Sequence, residues 1–421
     1  MDTGHLIDHF SGIWKDAPVS FPSFETSYSH DDRAEREKLF TTYTDRFREL
    51  RGKGDHPGSV DTEKFFRGFR SFMKNIYGYS EESLSVIMVQ AMVDASRAFF
   101  REARAFDPGL KREEIYQGLR NVWIMNGLLL MLGLPVRITP SILAYSLLYP
   151  YSDNLLDDPT LSGADKAAFS DRFEQCLRGR GPMGNNHRER CISALVEMIA
   201  GEYPRDRYPQ VHQSLLAIHR AQTRSLRLCN NGNQLTGDEI LAICFDKGGT
   251  SVLADGYLVA GNLSPETSRF FYGYGVWLQL ADDLQDLEED LANNTTTLFS
   301  GRQENEERLA LTNRTFHFGR KIMEDIKYCE GGVSQQFGEV ILKSIETMMI
   351  QSAGLNHRFY SPEYRKTLEY FSPVGFDYLA EARKKGSPGR MKMITRLIDD
   401  QMVPSAETAP TGRYSEKSPR R

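Results

Sequence analysis

The chain has 421 residues, 40% hydrophobic and 26% charged, the balance of an ordinary globular protein with material for a large core. Its formal charge of −5 is small for that length and lacks the basic footprint that nucleic-acid binding requires. No apolar run reaches the roughly 20 residues of a bilayer span; the longest, "VWIMNGLLLMLGLPV" at 122–136, reads as a buried helix.

In chain order, apolar residues recur with helical spacing, and strand-like alternation is scarce. The first 30 or so residues read as irregular and rich in Ser, Asp and His. Helices are predicted over 31–52, 61–77, 81–105, 112–132, 141–157, 163–178, 186–201, 208–229, 236–260, 265–291, 303–328, 334–352 and 375–397. Ser80, Thr236 and Ser264 each precede an acid-bearing first turn and offer a side-chain oxygen to its orphan N–H groups. The short connection "GNLS" at 261–264 predicts antiparallel neighbours. The reading is an all-α chain: a partly helical N-terminal extension over 1–80, one large helical domain over 81–400 and a disordered tail over 401–421. Five cysteines form no CxxC pair and no metal-like spacing, and "MDTGHLIDHF" lacks the basic and apolar regions of an export signal. Reduced thiols in a cytoplasmic protein are the expectation.

Two acidic stretches stand out against this apolar background. In "ADDLQDLEED" (281–290), Asp282, Asp286, Glu289 and Asp290 fall on one helical face, with Asp283 flanking it. No Lys or Arg lies between Arg269 and Arg302 to offset them. The preceding turns, "FFYGYGVWLQL", are apolar nearly all round, so a buried helix runs into a wall of carboxylates. In "YSDNLLDDP" (151–159), Asp153 and Asp157 again stand four apart after an apolar helix, and Pro159 disfavours helical geometry at Asp158. A solvated helix end would carry such acids too. Two apolar helices that both end this way predict one facing pair, with cations between the carboxylates; all-oxygen ligands favour Mg²⁺, which completes its shell with water and phosphate.

Basic and aromatic residues extend the pattern. Arg220, Arg224 and Arg227 share a face in a stretch, 208–237, that carries no acid. They read either as a solvated basic face or as a diphosphate clamp. In "DKGGTS" (246–251), Gly248 and Gly249 interrupt a helical pattern; they signal tight helix packing or a helix break that brings Lys247 and backbone to an anion. Tyr145 and Tyr149 lie below Asp153 on one helix, and Phe271, Tyr274 and Trp277 near Asp282 on the other. Such rings are usually core, but beneath a metal–diphosphate mouth they could line an isoprenoid cavity and stabilise cations.

Together these features resemble the class I (trans) isoprenoid synthase superfamily over about residues 85–400, which implies a single-domain helical barrel around a central cavity. "GVWLQLADDLQD" (275–286) is similar to the G-x-x-F-Q-x-x-D-D-x-x-D signature of prenyl diphosphate synthases, with Leu278 in place of Phe. "QLADDLQDLEED" also resembles the Q-x-x-N-x-x-R-D-x-x-E-D of squalene and phytoene synthases, with Asp282 and Gln285 in place of Asn and Arg. The resemblance is greatest to tetraprenyl-β-curcumene synthase-type large terpene synthases, whose D-Y-L-D-N-L-C-D-R and D-Y-F-I-D-Q-E-E-D compare with "PYSDNLLDD" and "DDLQDLEED". The resemblance implies a polyprenyl diphosphate substrate and Mg²⁺ held by Asp153, Asp157 and Asp158 on one side and by Asp282, Asp286 and Asp290 on the other. Lys247, Arg220 and Arg224 would contact the diphosphate, and Asn154 and Gln279 would orient ligands. It leaves open peripheral membrane contact and a homodimer.

A terpene synthase or cyclase acting on one substrate is the leading expectation. A chain-elongating prenyltransferase normally carries paired arginines after its first motif, whereas "PTLSGADKAAFSDR" has none. Head-to-head condensation lacks the Asn and Arg noted above. A non-catalytic helical interaction protein would release no diphosphate.

Overall fold

The computed structural model describes residues 1–52, 62–156, 160–184, 186–229, 235–301 and 305–384. Among them there is no β-strand, only an isolated bridge between Cys229 and Thr295. The helices are α1 (Gly4–Asp16), α2 (His30–Gly52), α3 (Thr62–Tyr77), α4 (Glu81–Ile87), α5 (Gln90–Phe106), α6 (Arg112–Met131), α7 (Pro140–Leu156), α8 (Gly163–Leu177) and α9 (His187–Glu202). They continue with α10 (Pro209–Ser225), α11 (Gly237–Ala260), α12 (Pro265–Gln285), α13 (Leu287–Ala292), α14 (Asn305–Met323), α15 (Ser334–Leu355), α16 (Pro362–Glu369) and α17 (Phe376–Lys384). The chain is all-α, as its periodicity predicts.

The expected caps form. Ser80, Thr236 and Ser264 accept from the N–H groups of Ser83, Glu239 and Thr267, and Glu239 closes a capping box by accepting from the Thr236 N–H at 2.9 Å. Helix α11 is the centre of the molecule. It is apolar on nearly every side, from Ile240 to Val259, and packs between α10 and α12 while touching α1, α6 and α7. Gly261, at φ 76°, turns the chain directly into α12, which packs in turn on α14 and α15. Helix α7 lies against α6 and α9. A second, smaller core joins α3 to α4 and α15 through Phe72, Ile76, Leu84 and Val340.

Four expectations are corrected. The first 30 residues are not all irregular, because Leu6, Phe10 and Trp14 recur every fourth residue and seat α1 in the main core. Phe10 stacks on Tyr272 at 5.5 Å, over Gly273, and Trp14 meets Phe318 edge-on at 5.6 Å. The predicted helix 81–105 is two, since Met88 and Val89 leave helical geometry. That break divides Glu81–Phe106, a stretch long and apolar enough to cross a bilayer, whose Leu84, Phe99, Phe100 and Ala103 are buried in protein. The predicted helix 265–291 also divides, at Asp286. A helix at 362–369 was not predicted; Ser361 caps it and Pro362 opens it. The tail expected over 401–421 lies outside the described residues.

Candidate active site

The site is built on the crossing of α11 and α12. Helix α11 runs unbroken through Gly248 and Gly249, so the expected helix break is absent and close packing is what the glycines serve. A Cβ on Gly248 would lie 2.6 Å from the Gly275 carbonyl oxygen and 2.5 Å from Gln279 Cβ, and one on Gly249 would enter the Tyr272 ring. Only glycine lets the two backbones approach this closely, and each costs about 1 kcal/mol of helix propensity relative to alanine. The approach sets Lys247, half-buried and adjacent to Gly248, beside the acids at the end of α12: its charge acts on Asp282, Asp283 and Asp290.

The acidic row survives the division of its helix. At Asp286 the backbone departs from ideal helix (φ −94°, ψ 10°), yet Asp286 N–H donates to the Asp282 carbonyl at 2.9 Å and Asp290 N–H to the Asp286 carbonyl at 2.8 Å. The row therefore keeps its four-residue rhythm while the chain bends. Burial pushes the Asp282 carboxyl up, and the charge of Asp286 adds to this; Arg120 and Lys247 oppose it. Asp282 is nevertheless exposed as a residue, so its carboxyl is open to water on one side. Burial, then Asp286, raises Asp290 to about 7. Burial raises Asp283 to about 7 against the pull of Gln279 and Lys247. Gln279 Nε2 donates to Asp283 Oδ1 at 2.7 Å, whereas Asp283 Oδ2, also buried, finds no N–H or O–H donor among the described residues. Crowding and desolvation thus oppose ionisation of three neighbouring carboxyls, and a divalent cation would relieve both costs.

The donors are all oxygen, which suits Mg²⁺. They do not form a closed cage. Among the described residues, three ligand atoms converge at Asp107, His187 and Cys191 and not on the α12–α13 row. An open row of carboxylates fits an ion that keeps waters and takes further ligands from a phosphate.

The remaining predicted residues are distributed as follows. Asp153 lies on α7, near its end, and its side chain is outside the described residues; so are Asp157 and Asp158 entirely. Pro150 sits inside α7, which continues through it. Arg220 pairs with Glu174 at 2.9 Å and Arg224 with Asp246 at 3.2 Å; Asp246 also accepts from Thr3 Oγ1 at 2.8 Å. These arginines engage carboxylates on α8 and α11; the basic residues whose charge acts most on Asp282 are Arg120 and Lys247. Arg120 on α6 is the basic residue the sequence reading missed. Nothing in the local sequence distinguishes it, because its relation to Asp282 arises from packing between distant helices.

Below Ser152 of α7, a cavity lined by Tyr145, Leu148, Phe173, Ile218 and His219 separates α7, α8 and α10. Its volume is about 30 Å³, room for roughly two waters. A prenyl chain entering there would have to displace Leu148, Phe173 or Ile218.

No family model matches the chain, and no curated protein matches it. Among solved structures, a geranylgeranyl pyrophosphate synthetase from Pyrococcus horikoshii is similar to it with a TM-score of 0.31 and 17% identity, over 69% of this chain and 92% of that one.

Proposed function

We propose that the chain is a Mg²⁺-dependent terpene synthase that ionises a polyprenyl diphosphate and releases diphosphate. The observation that carries this reading is the α12–α13 row: carboxyls crowded and desolvated until two of them titrate at about 7, with Lys247 beside them. Protein rarely tolerates such a group of acids unless a cation or a function requires it.

In this reading Asp282, Asp286 and Asp290 hold Mg²⁺ on one side, and Asp153, Asp157 and Asp158 on the other. Mg²⁺ held there would supply Lewis-acid stabilisation to a departing diphosphate. Lys247 and Arg120 bind the diphosphate oxygens and offset the charge that develops on them. Arg220 and Arg224 reach the diphosphate only if they exchange Glu174 and Asp246 for it. Gln279 fixes the orientation of Asp283 through its 2.7 Å bond. Tyr145, Leu148, Phe173 and Ile218 line a space of about 30 Å³; in this reading they move apart to seat the prenyl chain and exclude water from the allyl cation.

A chain-elongating synthase uses the same row and remains the reading to separate. The lack of paired arginines after the first acidic stretch favours the single-substrate enzyme. The test is incubation with geranyl, farnesyl, geranylgeranyl and longer diphosphates, with and without isopentenyl diphosphate, followed by mass spectrometry. Cyclic or dephosphorylated hydrocarbons from one substrate support the proposal; longer diphosphates formed only with isopentenyl diphosphate replace it by elongation.

A further inference from the structure

Away from the acidic row, three side chains of unlike chemistry converge where the segment after α5 meets α7 and α9. Asp107 follows α5, His187 is the first residue of α9, and Cys191 lies one turn further along it. His187 Nε2 is 3.0 Å from Asp107 Oδ2 and 3.5 Å from Cys191 Sγ, and that sulfur is 3.9 Å from Asp107 Oδ2. Zinc bond lengths set at tetrahedral angles require about 3.3 Å between N and O, about 3.6 Å between N and S, and about 3.5 Å between O and S. The triangle already has those edges to within a few tenths of an ångström.

Its surroundings also suit an ion. Asp107 and Cys191 are buried, at 7% and 8% exposure, while the His187 side chain is 68% exposed and leaves a path from solvent. The Gly109 N–H donates to Asp107 Oδ1 at 2.8 Å, and the Tyr151 hydroxyl donates to Oδ2, so the carboxylate is held in place by two groups that are not themselves needed as ligands. One carboxylate and one thiolate would neutralise a dication. His187 and Cys191 are four apart on one helix, a ligand spacing that a search for paired cysteines alone passes over.

We propose that Asp107 Oδ2, His187 Nε2 and Cys191 Sγ form a binding site for a zinc-class divalent ion, with water in a fourth position. Binding displaces the Cys191 thiol proton to solvent and takes His187 as neutral imidazole, its proton on Nδ1. A nitrogen–sulfur–oxygen donor set selects zinc-class ions over Mg²⁺, so the site is chemically distinct from the α12–α13 row. It also fastens the end of α5 and the start of α9 to Tyr151, two residues before Asp153 on α7.

The test is titration of the reduced, EDTA-stripped, full-length chain with Co²⁺ in excess Mg²⁺, followed by absorbance. The expected result is one Co²⁺ per chain with a thiolate-to-metal charge-transfer band. That band is lost in Cys191→Ser and in His187→Ala, whose exposed ring can be removed without disturbing the core, and is kept in Cys229→Ser and Asp286→Asn. Tyr151→Phe weakens Co²⁺ binding by about 10–100-fold. A titration of the parent chain without the band, or a band that persists in Cys191→Ser, overturns the proposal.

Discussion

Gly248 and Gly275 face each other across α11 and α12, so close that a Cβ on Gly248 would stand 2.6 Å from the Gly275 carbonyl oxygen. That approach is what places Lys247 beside the acids of α12. The atom in the way is backbone and cannot swing aside as the tip of a flexible side chain can.

Gly248→Ala should therefore cost about 1–3 kcal/mol of stability despite alanine's better helix propensity, because the two helices must separate. Gly12, on the exposed face of α1 with nothing within 4 Å of its would-be Cβ, provides the contrast. Gly12→Ala should stabilise the chain by up to about 1 kcal/mol. Urea unfolding of both variants checks the pair, and equal effects would show that α11 and α12 are not packed as described.

The raised carboxyls fix a pH dependence and its sign. Asp283 and Asp290 titrate at about 7 in the folded chain, against about 4 when unfolded. Between those values the folded chain keeps protons that the unfolded chain has released. Without divalent ions, this contribution lowers stability as pH rises from about 4 to about 7, and it is constant above. In the proposed reading Mg²⁺ binds the ionised acids, so its stabilisation should be greater at about pH 8 than at about pH 5. At roughly 100 times its Kd it should approach about 2.7 kcal/mol at the higher pH. Thermal melts with and without Mg²⁺ at the two pH values measure this, and a shift that is independent of pH would count against the acidic row as its site.

Lys247 and Arg224 should separate by readout. Lys247→Met removes the cation that acts on Asp282, Asp283 and Asp290, so diphosphate release should fall by about 100-fold. Arg224→Ala leaves buried Asp246 with the Thr3 hydroxyl bond alone of the two contacts described above, and should cost about 1–3 kcal/mol of stability with a smaller effect on turnover. Melting curves beside turnover assays decide the assignment. A stable Arg224→Ala with lost turnover would return Arg224 to the diphosphate.

What the sequence discloses here, and what it does not, follows from the range of each interaction. Caps at Ser80, Thr236 and Ser264, and the acidic row from Asp282 to Asp290, are local patterns within a few turns, and they are readable from residue spacing. Helix α1 was legible as well, in the spacing of Leu6, Phe10 and Trp14, but its polar neighbours masked it. The partners of Arg220 and Arg224 depend on where α8 and α11 lie in space, and a basic helical face looks the same whether it meets a phosphate or Glu174. Arg120 and Asp282 are far apart in the chain, and only packing joins them. The same holds for Asp107 with His187 and Cys191.

In the proposed function, the α12–α13 row holds the ion on which diphosphate release depends. The most direct test is the release of inorganic diphosphate from farnesyl and geranylgeranyl diphosphates by the purified chain in Mg²⁺, in EDTA, and as Asp286→Asn, with the variant's fold checked by its melting curve. Release is expected in Mg²⁺, none in EDTA, and a loss of at least about 100-fold in a folded Asp286→Asn. Release by Asp286→Asn at the parent rate, or undiminished release in EDTA, would contradict it.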